Sequence, residues 1–144
     1  MIIHTASEGI SLAKKLENDS ASFYESMAKQ YTKDSETFLA FIRENKKNVA
    51  QIERTYFGVI TDAIEGSYAF NLETDNYNLD LAVKGKADYS YMLKQAGQIE
   101  EKIIKFYNDA AEQSRSLMAD IPRVFELLAR KRRERVEKLK TLTA

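Results

Sequence analysis

Two stretches decide the fold: Leu16-Glu17-Asn18-Asp19-Ser20-Ala21-Ser22-Phe23-Tyr24 and Ile99-Glu100-Glu101-Lys102-Ile103-Ile104-Lys105-Phe106-Tyr107. Each places a glutamate seven residues before a tyrosine, inside a pattern of helical period. The apolar stripe around the first is Ile10, Ala13, Leu16, Ala21, Tyr24, Ala28 and Tyr31; around the second it is Leu93, Ala96, Ile99, Ile103, Ile104, Tyr107 and Ala111. With a turn of about 100° per residue, Glu17 and Glu100 fall in the middle of these stripes, not on their polar backs. A carboxylate in that position is costly unless it is paired or bound to a cation.

The two stretches belong to an internal repeat. Moving Glu17 onto Glu100 is a shift of 83 positions, and the same shift brings Ala13 to Ala96, Phe23 to Phe106, Tyr24 to Tyr107 and Gln30 to Gln113. A shift of 87 positions brings Phe38 to Phe125, Arg43 to Arg130 and Val49 to Val136. Shifts so nearly equal, covering four helical segments, mark a duplicated helix pair. The first helix is expected from about Ser7 to Tyr31, with Thr5 and Glu8 at capping-box spacing. The second begins at Asp34 or Ser35 and runs to about Phe57, with stripe Phe38, Phe41, Ile42, Val49, Ile52 and Tyr56. The third runs from about Asp88 to Met118. The fourth begins at Asp120, with Pro122 in its first turn and Ile121, Phe125, Leu128, Ala129, Val136 and Leu139 inward. Between the second and third lies a long connection, Gly58 to Lys86. Its Glu65-Gly66-Ser67 and Asn71 to Asn78 carry turn chemistry, and short helical turns are expected at Thr61–Glu65 and Leu79–Val83. The expected class is all-α, one domain over residues 1–144: a four-helix bundle with a long crossover between helices 2 and 3.

Composition agrees. With 5 Gly and 1 Pro in 144 residues, the chain is too poor in turn formers for an all-β design. Lys plus Arg and Asp plus Glu are each 22, so no basic excess points to nucleic acid. Cysteine is absent, which excludes disulfides, zinc ribbons and a rubredoxin-type iron site. Met1 to Ser7 lacks the basic and apolar segments of a signal peptide, and no apolar run reaches membrane-spanning length, so a cytoplasmic protein without membrane contact is expected.

The Glu-x6-Tyr stretches resemble the first and third helices of the rubrerythrin-like, ferritin-like di-iron carboxylate family. That resemblance implies Glu17 and Glu100 as bridging iron ligands, with Tyr24 and Tyr107 supporting them. The family's remaining ligands come from Glu-x-x-His on helices 2 and 4. Here the aligned positions hold Asn45 and Asn48, and Arg132 and Arg135. These residues do face inward. Phe38, Phe41, Val49 and Ile52 lie within about 40° of Asn45, as Phe125, Leu128, Val136 and Leu139 do of Arg132. His4, the single histidine, precedes the first helix, Glu44 flanks the inner face of helix 2, and Glu134 and Glu137 point away from the core. Two guanidinium groups where cations would bind oppose a metal strongly. The expectation is therefore an Arg–Glu–Asn cluster of Glu17, Glu100, Asn45, Asn48, Arg132 and Arg135, capped by Tyr24 and Tyr107, in a metal-free protein of non-enzymatic role with no cofactor. The alternative is a rubrerythrin-like oxidoreductase or iron-handling protein with a reduced iron or manganese site at Glu17, Glu100 and Glu44. A third outcome is a hollow centre holding a small anion between Arg132 and Arg135. The run Arg130-Lys131-Arg132-Arg133-Glu134-Arg135 reads as a solvated helix surface rather than a nucleic-acid contact. The resemblance also implies a homodimer, for which Tyr56, Phe57, Tyr68 and Phe70 are the candidate exposed aromatics.

Overall fold

A computed structural model of the chain describes residues 1–59, 68–83, 88–116 and 120–142. Its elements in order are strand β1 (Ile2–Thr5), helix α1 (Ala6–Gln30), helix α2 (Ser35–Val59), strand β2 (Tyr68–Glu73), helix α3 (Tyr89–Gln113) and helix α4 (Asp120–Thr141). The described residues are thus mostly helical, with four long helices and one small sheet among them. Among the described residues no helix is long and apolar enough to cross a membrane.

Local sequence accounts for the helix ends. The Thr5 hydroxyl accepts from the Glu8 amide while the Glu8 carboxylate accepts from the Thr5 amide, closing a full capping box at the start of α1. Asp88 precedes α3 in extended conformation. That helix ends at Gln113, short of the Met118 expected from its stripe, and passes into a 3-10 turn at Ser114–Ser116. A similar turn, Thr32–Asp34, carries α1 into α2. These short links let α2 pack along α1 and α4 along α3, and α2 and α4 also meet across the centre. Phe23, Met27, Phe38, Ile52, Met92, Ile103, Phe106 and Phe125 are buried between the helices. Edge-to-face ring pairs such as Phe106–Phe125 fill the interior.

The sheet departs from the sequence expectation. Ile2–Thr5 and Tyr68–Glu73 pair antiparallel, with Ile3 opposite Leu72 and an irregularity between Ile3 and Thr5. Part of the stretch from Asn71 to Asn78 is therefore strand, not turn. Phe70 and Leu72 of β2 are buried, as is Ile3 of β1, which lies opposite Leu72. The helical turn lies at Thr74–Tyr77, and the Leu79–Val83 stretch is irregular instead of helical. There the Gln95 amide donates to the carbonyls of Asp80 (2.7 Å) and Ala82 (3.0 Å), which takes those groups out of any helical ladder. The expected turn at Thr61–Glu65 lies outside the described residues.

Two of the aromatics expected at the surface are inside. Phe70 sits over Gly9 and against Phe125, because β2 folds onto the bundle where a polar loop was expected. Tyr56, near the end of α2, is also buried. Phe57 is 75% exposed, and the side chain of Tyr68 lies outside the described residues.

Candidate functional site

Four helices each send polar groups to one point in the bundle. Glu17 comes from α1, Asn45 and Asn48 from α2, Glu100 from α3, and Arg132 and Arg135 from α4, all essentially without solvent exposure. The helical register explains the convergence. Each group occupies an inward position in its stripe, and the i and i+3 spacing on α2 and α4 delivers two neighbouring side chains from one face.

Arg132 lies at the centre. Its Nη1 donates to both oxygens of Glu100, at 2.8 and 2.9 Å, and its Nη2 donates to Glu17 Oε2 and to Ser20 Oγ (3.1 Å). One guanidinium thus joins the two carboxylates of the repeat. The tyrosines cross over: Tyr24 of α1 donates to Glu100 of α3 at 2.8 Å, and Tyr107 of α3 donates to Glu17 of α1 at 2.6 Å. Asn48 Nδ2 donates to Glu17 Oε1 at 2.9 Å. Asn45 Nδ2 donates to the Glu17 carbonyl (2.7 Å) and to Ser20 Oγ (2.6 Å). Both amides act as donors, and their Oδ1 atoms have no partner among the described residues. That polarity suits a centre organised around anions.

Arg135 links the cluster to the surface. Its Nη1 reaches Glu100 at 3.4 Å, its Nη2 donates to the Phe41 carbonyl at 3.0 Å and to Glu44 at 2.8 Å, and its Nε also donates to Glu44. The guanidinium lies over the Phe41 and Tyr24 rings, 4.7 and 5.5 Å from their centroids. Glu44 is the one member with substantial exposure, 35% of its side chain. The four buried charges cancel, Glu17 and Glu100 against Arg132 and Arg135.

The electrostatics follow from this pairing. Burial works against ionisation of Glu17, but Arg132, Tyr107 and Arg135 together outweigh it and hold the carboxyl below its ordinary range. Burial, and then the facing carboxylate, push Tyr24 and Tyr107 well above the usual phenol range, so both stay protonated donors. Burial also opposes the Arg132 charge, yet Glu100 and Glu17 raise it well above the ordinary value. Near neutrality Glu17 and Arg132 are therefore held charged, and Tyr24 and Tyr107 are held neutral.

These residues do not fit a di-iron centre. Every oxygen of Glu17 and Glu100 already accepts from a guanidinium, a phenol or an amide. A cation placed between the two carboxylates would compete with the Arg132 guanidinium for the same lone pairs. No imidazole faces the cluster: His4 is half-buried in β1. Among the described residues no three His, Cys, Asp or Glu side chains come together as a metal-holding group. The guanidinium Nη groups of Arg132 and Arg135 donate to carboxylates, to Ser20 Oγ and to the Phe41 carbonyl, while the buried Arg132 Nε has no partner among the described residues.

Ser20 is a member that the sequence reading missed. It is fully buried, accepts from Arg132 and Asn45, and donates to the Glu17 carbonyl at 3.0 Å. Its position three residues after Glu17 on the same face was the available signal. The basic run on α4 also divides. Arg132 and Arg135 are interior, whereas Arg130 and Arg133 are exposed, so it is not one continuous basic surface. Comparison with protein-family models, with curated proteins and with solved structures finds no match.

Proposed function

We propose that this chain is a metal-independent, ferritin-like bundle of the rubrerythrin type with a non-enzymatic, structural or interaction role. In this reading the connection between α2 and α3 is the crossover of a duplicated helix pair. The Arg–Glu–Asn cluster then stands where related bundles hold two metal ions. The observation that carries the proposal is the Arg132 guanidinium, buried and hydrogen-bonded to both Glu17 and Glu100. It supplies from within the chain the positive charge that paired carboxylates require. The crossed Tyr24–Glu100 and Tyr107–Glu17 bonds add to the support, because they obey the pseudo-symmetry of the repeat.

Elemental analysis of protein purified without chelator tests the proposal. The expected result is no stoichiometric iron or manganese, and a thermal midpoint that neither chelator nor added ferrous or manganous ion shifts. Stoichiometric metal that disappears in Glu17→Ala would overturn it in favour of a reduced metal site at Glu17, Glu100 and Glu44.

A further inference from the structure

The repeat that makes the centre symmetric breaks down at the outer seam of its second half. Between α1 and α2, Lys14 and Glu53 form an ion pair of 2.8 Å across the two helices. The shifts that superpose Glu17 on Glu100 and Val49 on Val136 place Lys14 on Gly97 and Glu53 on Lys140. The bridge over the first seam thus becomes, over the second, a missing side chain and a cation. A groove of about 640 Å³ lies there, between α3 and α4.

Gly97 needs explaining in its own right. It sits in the interior of a 25-residue helix, where glycine is less stable than alanine. No positive φ requires it. No close approach requires it either: a Cβ at Gly97 would meet nothing within 4 Å. What its lack of a side chain does is keep the groove deep, between Leu93 on its own helix and Val136 and Leu139 on α4.

The rim has a definite charge. Lys94, Lys102 and Lys140 stand around the apolar floor, with Glu101 as the acid among the lining residues. Glu137 pairs with Lys140 at 3.2 Å, and Lys102 donates to a neutral carbonyl, that of Asn78. A net positive rim therefore remains. The volume lies in the range of small-molecule sites, roughly 300–1,000 Å³. A stable protein interface uses about 20–30 residues a side, many more than line this groove. Apolar floor, elongated seam and cationic rim together suit one ligand chemistry.

We propose that the α3–α4 groove binds a long-chain carboxylate, its alkyl chain over Leu93, Gly97, Val136 and Leu139 and its carboxylate among Lys94, Lys102 and Lys140. The assignment is independent of the reading of the buried centre, because none of these side chains takes part in that cluster.

Calorimetric titration of the full chain with dodecanoate, below its micellar concentration, tests it. Saturable 1:1 binding is expected, with dodecan-1-ol weaker because it leaves the lysines unmatched. The double variant Gly97→Lys/Lys140→Glu rebuilds over α3 and α4 the bridge that Lys14 and Glu53 make over α1 and α2, and it should weaken binding by at least about tenfold. Lys94→Gln, at an exposed position, should weaken it about threefold. Circular dichroism and the thermal midpoint establish that each variant is folded; if the double variant is not, Gly97→Leu fills the same space without a charge change and should show the same loss. Absence of saturable binding, or equal binding by wild type and a folded, filled groove, overturns the proposal. So does sedimentation showing a wild-type dimer that the double variant dissociates, since the groove would then belong to a second copy.

Discussion

Arg132 is the residue on which the interior depends most. Arg132→Ala would leave Glu17 buried without its guanidinium partner and Glu100 with Arg135 alone, at 3.4 Å. The expected loss is about 3–5 kcal/mol, read from urea denaturation, and a loss near zero would show that the carboxylates find other compensation. Neutralising the anions as well, in Glu17→Gln/Glu100→Gln/Arg132→Met, should recover most of that loss, because no charge is then left buried alone. The same pairing sets the acid behaviour. Glu17 titrates below its ordinary value of 4.5 in the folded chain, so folded protein binds that proton less readily than unfolded protein does. Its contribution is present in full above 4.5 and is lost as pH falls through the lowered folded value. Urea midpoints measured across the acid range should fall accordingly, and less so in Glu17→Gln. The two tyrosines have the opposite sign. Their folded values stand well above 10.0, so their contribution is full below that pH and fades as pH rises toward the folded values. Phenolate absorbance from Tyr24 and Tyr107 should therefore appear only together with unfolding.

At the level of elements, two glycines make opposite predictions. Gly9 in α1 underlies Phe70 of β2, and a Cβ there would come within 2.5 Å of the ring. Gly9→Ala should therefore push β2 away from the bundle and cost about 1–3 kcal/mol. Gly97 has open space at the same point of its side chain, so Gly97→Ala should raise stability by roughly 0.5–1 kcal/mol through helix propensity. Thermal midpoints of the two variants, moving in opposite directions, are the measurement. The helices themselves were legible in the sequence because a stripe with period 3.6 survives over 25 residues, and Thr5 with Glu8 marked a cap that the structure closes. The strands were not. Ile2–Thr5 is four residues long, and among its described side chains β2 has Phe70 and Leu72 as inward positions, too few to distinguish alternation from chance. Asn71 reads as a turn former, yet its amide donates to the Gln113 side chain at 2.7 Å, a partner 42 positions away. Local propensity carries no information about such a contact.

For the whole molecule, the repeat gives the strongest test. If the bundle descends from a metal-binding arrangement, the four altered positions are the ones whose reversal should restore it. The variant N45E/N48H/R132E/R135H would present four carboxylates and two imidazoles at the centre, the donor set of a two-metal site. It should bind two ferrous or manganous ions and rise in thermal midpoint with metal concentration, as a ligand that binds only the folded state requires. Loss of secondary structure without metal and its recovery with metal would support the reading equally. Folded protein with no metal-dependent stabilisation would count against it.

By itself the sequence determined the helical class and the inward placement of Glu17, Asn45, Asn48, Glu100, Arg132 and Arg135. Both are periodic properties, set by where a residue falls on its own helix. It could not determine who bonds to whom. Tyr24 donates across the bundle to Glu100 instead of to the nearer-in-sequence Glu17, and Ser20 turns a helix-face serine into an acceptor for two helices. Those choices depend on distances between helices, which no single stripe encodes. The groove at Gly97 is of the same kind. The residue was plain in the sequence, but whether a neighbour filled the space beside it was decided only when α4 came to lie along α3.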